Sequence, residues 1–199
     1  MIGVVEAMNE VSHEKSSARR PTGFGVFRLR RFARRDDGSV AVEFALVAAP
    51  FFALLFAIME TALVFFAGQA LETASADSSR LILTGQAQTQ GLTASTFKDA
   101  VCAKIFALFD CQKGVYVDVK KYTSFASIDL SKPVDSDGNL KKDLSFQPGG
   151  PCEIVVVRLL YEFPIYVSMG FNLSDMNGGK RLLVATSVFR NEPYQGSCS

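Results

Sequence analysis

From Phe44 to Ala67 the chain runs for 24 residues in which Glu60 is the one charged side chain. At a helical rise of about 1.5 Å per residue this run extends roughly 36 Å, enough to cross a hydrocarbon core of about 30 Å. Backbone groups in lipid have no water to bond, so such a segment must be a helix. It is longer than the apolar region of a secretory signal peptide, which holds about 7 to 15 residues. Pro50 lies one to two turns into the run and is expected to kink or loosen it.

Charge orients this segment. The whole chain has a net charge of +1, which gives no nucleic-acid signature. Residues 1–38 nevertheless hold eight basic and five acidic side chains, and the seven arginines from Arg19 to Arg35 have no acid among them. Basic flanks stay cytoplasmic, so the N-terminus is expected inside and everything after the span outside. All four cysteines, Cys102, Cys111, Cys152 and Cys198, follow the span. An even number in an exported portion points to two disulfides, and the spacings fit no zinc pattern.

The remainder of the chain reads as elements. Residues 1–38 form a basic leader without sustained periodicity, expected to be mostly disordered, with a short amphipathic piece around Phe24 to Phe32. Beyond Gly68 the pattern turns amphipathic, so the helix is expected to run over 39–83 with only its first half in lipid. Thr84 to Gly91 reads as a turn. Phe97, Val101, Ile105 and Leu108 are spaced for a second helix, capped by Thr93 or Ser95. "GVYVDVKKY" alternates as a half-buried strand, 123–150 is a long polar loop, and "EIVVVRLLYEF" and "RLLVATSVFR" are two further strands. The fold class expected is α+β: a long helix whose second half packs on a small antiparallel sheet of about three strands, with residues 84–199 as the exported domain.

Strand order ranks the three pairings that four cysteines allow. Cys152 precedes the strand 153–163 and Cys198 follows the strand 181–190. Antiparallel neighbours bring that start beside that end, so Cys152–Cys198 is expected. A helix end near Asp110 to Gly114 folds Cys111 back towards Cys102, giving Cys102–Cys111.

Candidate chemistry is thin. His13 is the single histidine and lies in the leader, so a Ser-His-Asp or Cys-His site in the exported part is excluded. "DSDGNLKKD" has Asp135, Asp137 and Asn139, but Gly138 falls too early for a calcium loop and no Glu closes it. "NGGK" at 177–180 lacks a phosphate-loop context. Neither a catalytic residue, a metal site nor a cofactor is expected.

The start of the span carries more. A basic leader, Gly38, four residues, Glu43 and Phe44, then an apolar run, resembles the processing site of type IV pilin-like precursors. "DDGSVAVEFALVAAPFFALLFAIMETA" is similar to the TadE-like pseudopilins of the tight-adherence (Flp pilus) system, and "SVFRNEPY" near the end resembles that family's C-terminus. The resemblance implies that a prepilin peptidase cuts between Gly38 and Ser39, leaving Glu43 fifth and Phe44 sixth in the mature chain. Glycine leaves the scissile carbonyl uncrowded. A carboxylate left alone in lipid is costly; the new ammonium on Ser39 of a neighbouring subunit gives Glu43 a partner, and so an axial register. Glu60, about 25 Å further along the axis, is a candidate contact for a partner helix, or reaches water by snorkelling.

The resemblance implies a minor pseudopilin, single-pass in a bacterial inner membrane, with its C-terminal domain periplasmic. Its partners would be the peptidase, other pilins and pseudopilins, the inner-membrane assembly platform of an adhesive pilus, and membrane lipid. The alternative is an uncleaved single-pass anchor that presents a periplasmic ligand-binding domain. The mature N-terminus discriminates the two.

Overall fold

The computed structural model describes residues 36–105, 110–141, 143–167, 173–194 and 198. Residues 1–35 of the leader, with its amphipathic piece, lie outside this set, as does Leu108. The chain divides into two units, Met1–Ala49 and Pro50–Ser199. The described part of the first is helical. The second holds the rest of that helix and every later element.

Helix α1 spans Asp36–Leu83, with Pro50 inside it. It starts three residues earlier than expected and ends where the amphipathic pattern stops. The segment read as a turn contains a short helix α2, Gln86–Thr89. Helix α3, Ala94–Cys102, starts at Thr93, whose side chain accepts the Thr96 amide while the Thr96 side chain accepts the Thr93 amide. It is shorter than its periodicity suggests, because the chain turns at 103–105. A one-turn helix α4, Cys111–Gly114, leads into the sheet.

Three strands follow: β1 Val115–Tyr122, β2 Ile154–Pro164 and β3 Lys180–Arg190. They form one antiparallel sheet in the order β1-β2-β3. The fold is α+β, as the sequence predicts. In register, Val119 faces Val157 and Val157 faces Ser187, so odd-numbered residues share one side of the sheet.

That side meets the helices. Val64, Ala67, Leu71, Ala74 and Ile82 of α1, with Phe97 and Val101 of α3, cluster with Val115, Val119, Val155, Val157, Leu159, Leu183 and Ala185. The α1 members lie at intervals of three, four, three and eight residues, so one helix face is buried. Small residues let helix and sheet approach closely, and the Ser75 and Ser187 hydroxyls meet at 3.1 Å.

The even-numbered side was expected to face water in β1. It does not. The polar loop 123–150 folds over it, and Leu140 and Met176 pack with Leu160 and Leu182. Asp118 is 1% exposed and Arg158 7%. These two face each other in register. Asp118 Oδ2 accepts from Arg158 Nη2 at 2.8 Å and from Nε at 3.2 Å. The remaining Asp118 oxygen accepts the Ser145 amide at 3.0 Å, and Arg158 Nη1 donates to the Ser131 carbonyl at 3.1 Å. One buried ion pair thus ties the covering loop to the sheet at two points, Ser131 and Ser145. With both faces covered, β2 reads as a nearly unbroken apolar run.

Candidate functional site

The residues singled out by sequence fall in different places. In the first unit, the Gly38–Ser39 bond lies in the helical backbone of α1. Glycine costs a helix about 1 kcal/mol relative to alanine, and the first turn has few intrahelical bonds to lose. The bond therefore sits where unwinding is cheapest. Ser39 Oγ donates to Glu43 Oε1 at 3.1 Å. Glu43 and Phe44 are both exposed, as are most large apolar side chains from Val40 to Phe66. The segment Ser39–Leu83 is long and apolar enough to cross a membrane, which fits a single-pass membrane protein.

In the second unit, Glu60 behaves unlike an exposed carboxylate. It is 5% exposed. Its Oε1 accepts the backbone amides of Tyr166 at 2.5 Å and Val167 at 3.0 Å, and Oε2 lies 3.1 Å from the same Val167 amide. The partner is thus the chain's own backbone just beyond β2. Sequence reasoning missed this, although a signal existed. Glu60 stands four residues before Val64 and extends the buried stripe through Ala67, Leu71 and Ala74, so it faces the domain. Beside it opens an apolar pocket of about 490 Å³ lined by Ala57, Ile58, Thr61, Phe65, Val167 and Leu173.

The C-terminal motif closes the far end of α1. The Glu192 amide donates to the Leu83 carbonyl at 2.9 Å. Asn191 Nδ2 donates to the carbonyls of Pro148 and Gly150, both at 2.9 Å, and Gln88 Nε2 shares the Pro148 carbonyl at 2.8 Å. Gly85 has a φ of +76°, and the Tyr194 ring lies where its Cβ would be. Glycine is required there on both counts.

Cys102 is bonded to Cys111 and Cys152 to Cys198, each pair with Cα atoms 5.6 Å apart. Asp135 turns its carboxylate inward on its own loop, accepting the amides of Asp137 at 3.0 Å and Asn139 at 2.8 Å. The NGGK segment is a turn with both glycines at positive φ.

Residues 38–80, less than a quarter of the chain, match the family model described as TadE-like protein. The match begins at Gly38 and takes in Glu43, Pro50 and Glu60, the residues on which the sequence resemblance rests. This segment is similar to TadE-like proteins. Neither a curated protein nor a solved structure matches the chain.

Proposed function

We propose that this protein is a minor pseudopilin: a prepilin-peptidase substrate that acts in assembly of an Flp-type adhesive pilus of the tight-adherence system. The carrying observation is the family match that starts at the glycine and places a carboxylate fifth after it. Cleavage between Gly38 and Ser39 frees an α-ammonium on Ser39. In the uncut chain Glu43 accepts the Ser39 hydroxyl. In the cut chain it pairs with the ammonium of a neighbouring subunit, and a pair held in lipid sets how the helices stagger.

In this reading the protein is anchored in a bacterial inner membrane with residues 84–199 in the periplasm, where its disulfides persist. The helix is its handle in the membrane. Its work is interaction with pilins, pseudopilins and the assembly platform rather than catalysis.

The test is the intact mass of the protein in the membrane fraction, with and without the peptidase. A chain beginning at Ser39 is expected only when the peptidase is present. Gly38→Leu should leave the full-length precursor and fail to support piliation. A wild-type chain that keeps Met1 to Gly38 while pili form normally would refute the processing reading and leave the uncleaved anchor.

A further inference from the structure

The segment that grips Glu60 has an unusual surface. Tyr166 donates its backbone amide to a buried carboxylate, yet the residue is 80% exposed. Its neighbours Ile165 and Val167 are apolar, and Ile165 packs on the main core while Val167 lines the pocket. Around the same point on α1, Phe65 is 71% and Phe66 56% exposed. Three exposed aromatic side chains therefore lie where the domain's chain returns to the membrane helix.

Position along the helix specifies what meets them. Glu60 lies seventeen residues, roughly 25 Å, beyond Glu43, close to the far side of a hydrocarbon core about 30 Å thick. The groups just beyond it meet the boundary between acyl chains and headgroups, where Tyr is enriched and Lys and Arg reach outward. The pocket beside Glu60 is lined by helix residues Ala57, Ile58, Thr61 and Phe65. It is continuous with the exposed apolar surface that the span presents to lipid. Above it the sheet begins with basic side chains, since Lys180 faces Pro164 and Arg181 faces Phe163 in register. Lys180 remains 44% exposed although it pairs with Glu162. Apolar, aromatic and basic groups thus follow one another in the order of a leaflet.

We infer that residues 165–167 form a foot that rests in the lipid leaflet on the domain's side, with Tyr166 at the interface and an acyl chain in the adjoining pocket. Glu60 is the pin that sets the height of this foot. It binds the backbone amides that would otherwise enter the interface without partners, and its own charge is satisfied in the same contact. The exported domain then stands on the bilayer at two points, the helix and the foot, and cannot swivel freely about the helix end. This inference rests on the membrane-span reading of α1, but on neither peptidase cleavage nor pilus assembly.

The chain has no tryptophan, so single-tryptophan variants report one site each. The full-length protein would be reconstituted at high lipid-to-protein ratio in phosphatidylethanolamine–phosphatidylglycerol vesicles carrying shallow or deep nitroxide labels. Phe51→Trp serves as the reporter for the span. Val188→Trp, eight residues or about 27 Å along β3 from Lys180, serves as the reporter for the far pole. Phe51→Trp is expected to quench best with the deep label, Tyr166→Trp at least twofold better with the shallow label than with the deep one, and Val188→Trp with neither. Adding Glu60→Leu to Tyr166→Trp should lower the shallow quenching by half or more.

Tyr166→Trp behaving like Val188→Trp while Phe51→Trp is quenched would overturn the foot and leave the span standing. An unquenched Phe51→Trp would remove the span and the foot together. Shielding of Tyr166→Trp that appears only at high protein density would overturn lipid in favour of a second protein chain. Unchanged quenching in the Glu60→Leu background would remove Glu60 as the pin.

Discussion

Replacing Arg158 with methionine isolates the contribution of the pair beneath the loop. Methionine keeps much of the stem volume and removes the guanidinium. Asp118 then loses two charge-assisted hydrogen bonds, at 2.8 and 3.2 Å, and the Ser131 carbonyl loses its donor. Breaking a buried ion pair by removing one partner costs about 3 to 5 kcal/mol, because the remaining charge stays buried. Here the Ser145 amide still reaches Asp118, and Lys120 stands 3.6 Å away with its side chain 29% exposed. The loss should fall near the lower end, about 3 kcal/mol. Removing both charges is a different matter. Asp118→Leu combined with Arg158→Met leaves no buried charge, and such replacements are often neutral or stabilising. The double variant should therefore be more stable than Arg158→Met alone, within about 1 kcal/mol of wild type. Urea unfolding of the full chain in detergent micelles, followed by near-ultraviolet circular dichroism, measures both. An Arg158→Met midpoint equal to wild type would refute the burial argument. A double variant that is worse than the single would refute the claim that the unpaired carboxylate is what costs.

Glu43→Gln should insert into membranes as well as wild type, since losing a charge eases insertion; co-purification with other pilins should fall, and an unchanged yield with normal piliation would remove the registry role. Gly85→Ala must hold a left-handed conformation costing about 1 to 2 kcal/mol and displace the Tyr194 ring, so a loss above 2 kcal/mol is expected in the same urea assay. Serine at Cys152 and Cys198 should cost more than serine at Cys102 and Cys111, because the separations are 46 and 9 residues; chain entropy gives about 4 against about 2.6 kcal/mol. The Gly150 amide, followed by Lys121, holds the Glu153 carboxyl below its usual range. Burial raises Asp175, but Lys132 and the Leu182 amide together bring it below. A depressed carboxyl stabilises the fold above its unfolded value and loses that contribution as pH falls through the folded value. The urea midpoint should therefore be flat from pH 6 to 8 and fall below about pH 4.

Periodicity made the sheet legible. The three strands begin and end within a residue of their sequence patterns, because alternation and Pro164 mark them directly. The odd face of β1 is apolar and was readable as core. Its even face was not, since Tyr116, Asp118 and Lys120 look like a solvated face unless the loop's destination is known. Only Arg158, interrupting an apolar run in a central strand, hinted that a buried partner was needed. Glu60 shows the same limit. Its place on the buried stripe is local information, but the Tyr166 and Val167 amides that receive it lie more than a hundred residues on. The start of the span was legible through family resemblance, whereas the contacts of Glu192 with Leu83 and of Tyr194 with Gly85 join segments too far apart in sequence to be read locally.

The latch between the C-terminal tail and Leu83 also dictates timing. The core face of α1 is made early in synthesis, and its cover, β2 and β3, is made late. Until residue 192 emerges, the Leu83 carbonyl lacks its tail donor, and until residue 198 emerges Cys152 has no partner. Small loops close quickly and distant ones late, so Cys102–Cys111 can be sealed while most of the sheet is still unmade. A nascent chain stalled before β3 would carry a membrane helix with an unburied seam of Ala67, Leu71 and Ala74. Quality control could recognise an unfinished molecule by that seam, which the packing of β2 and β3 hides.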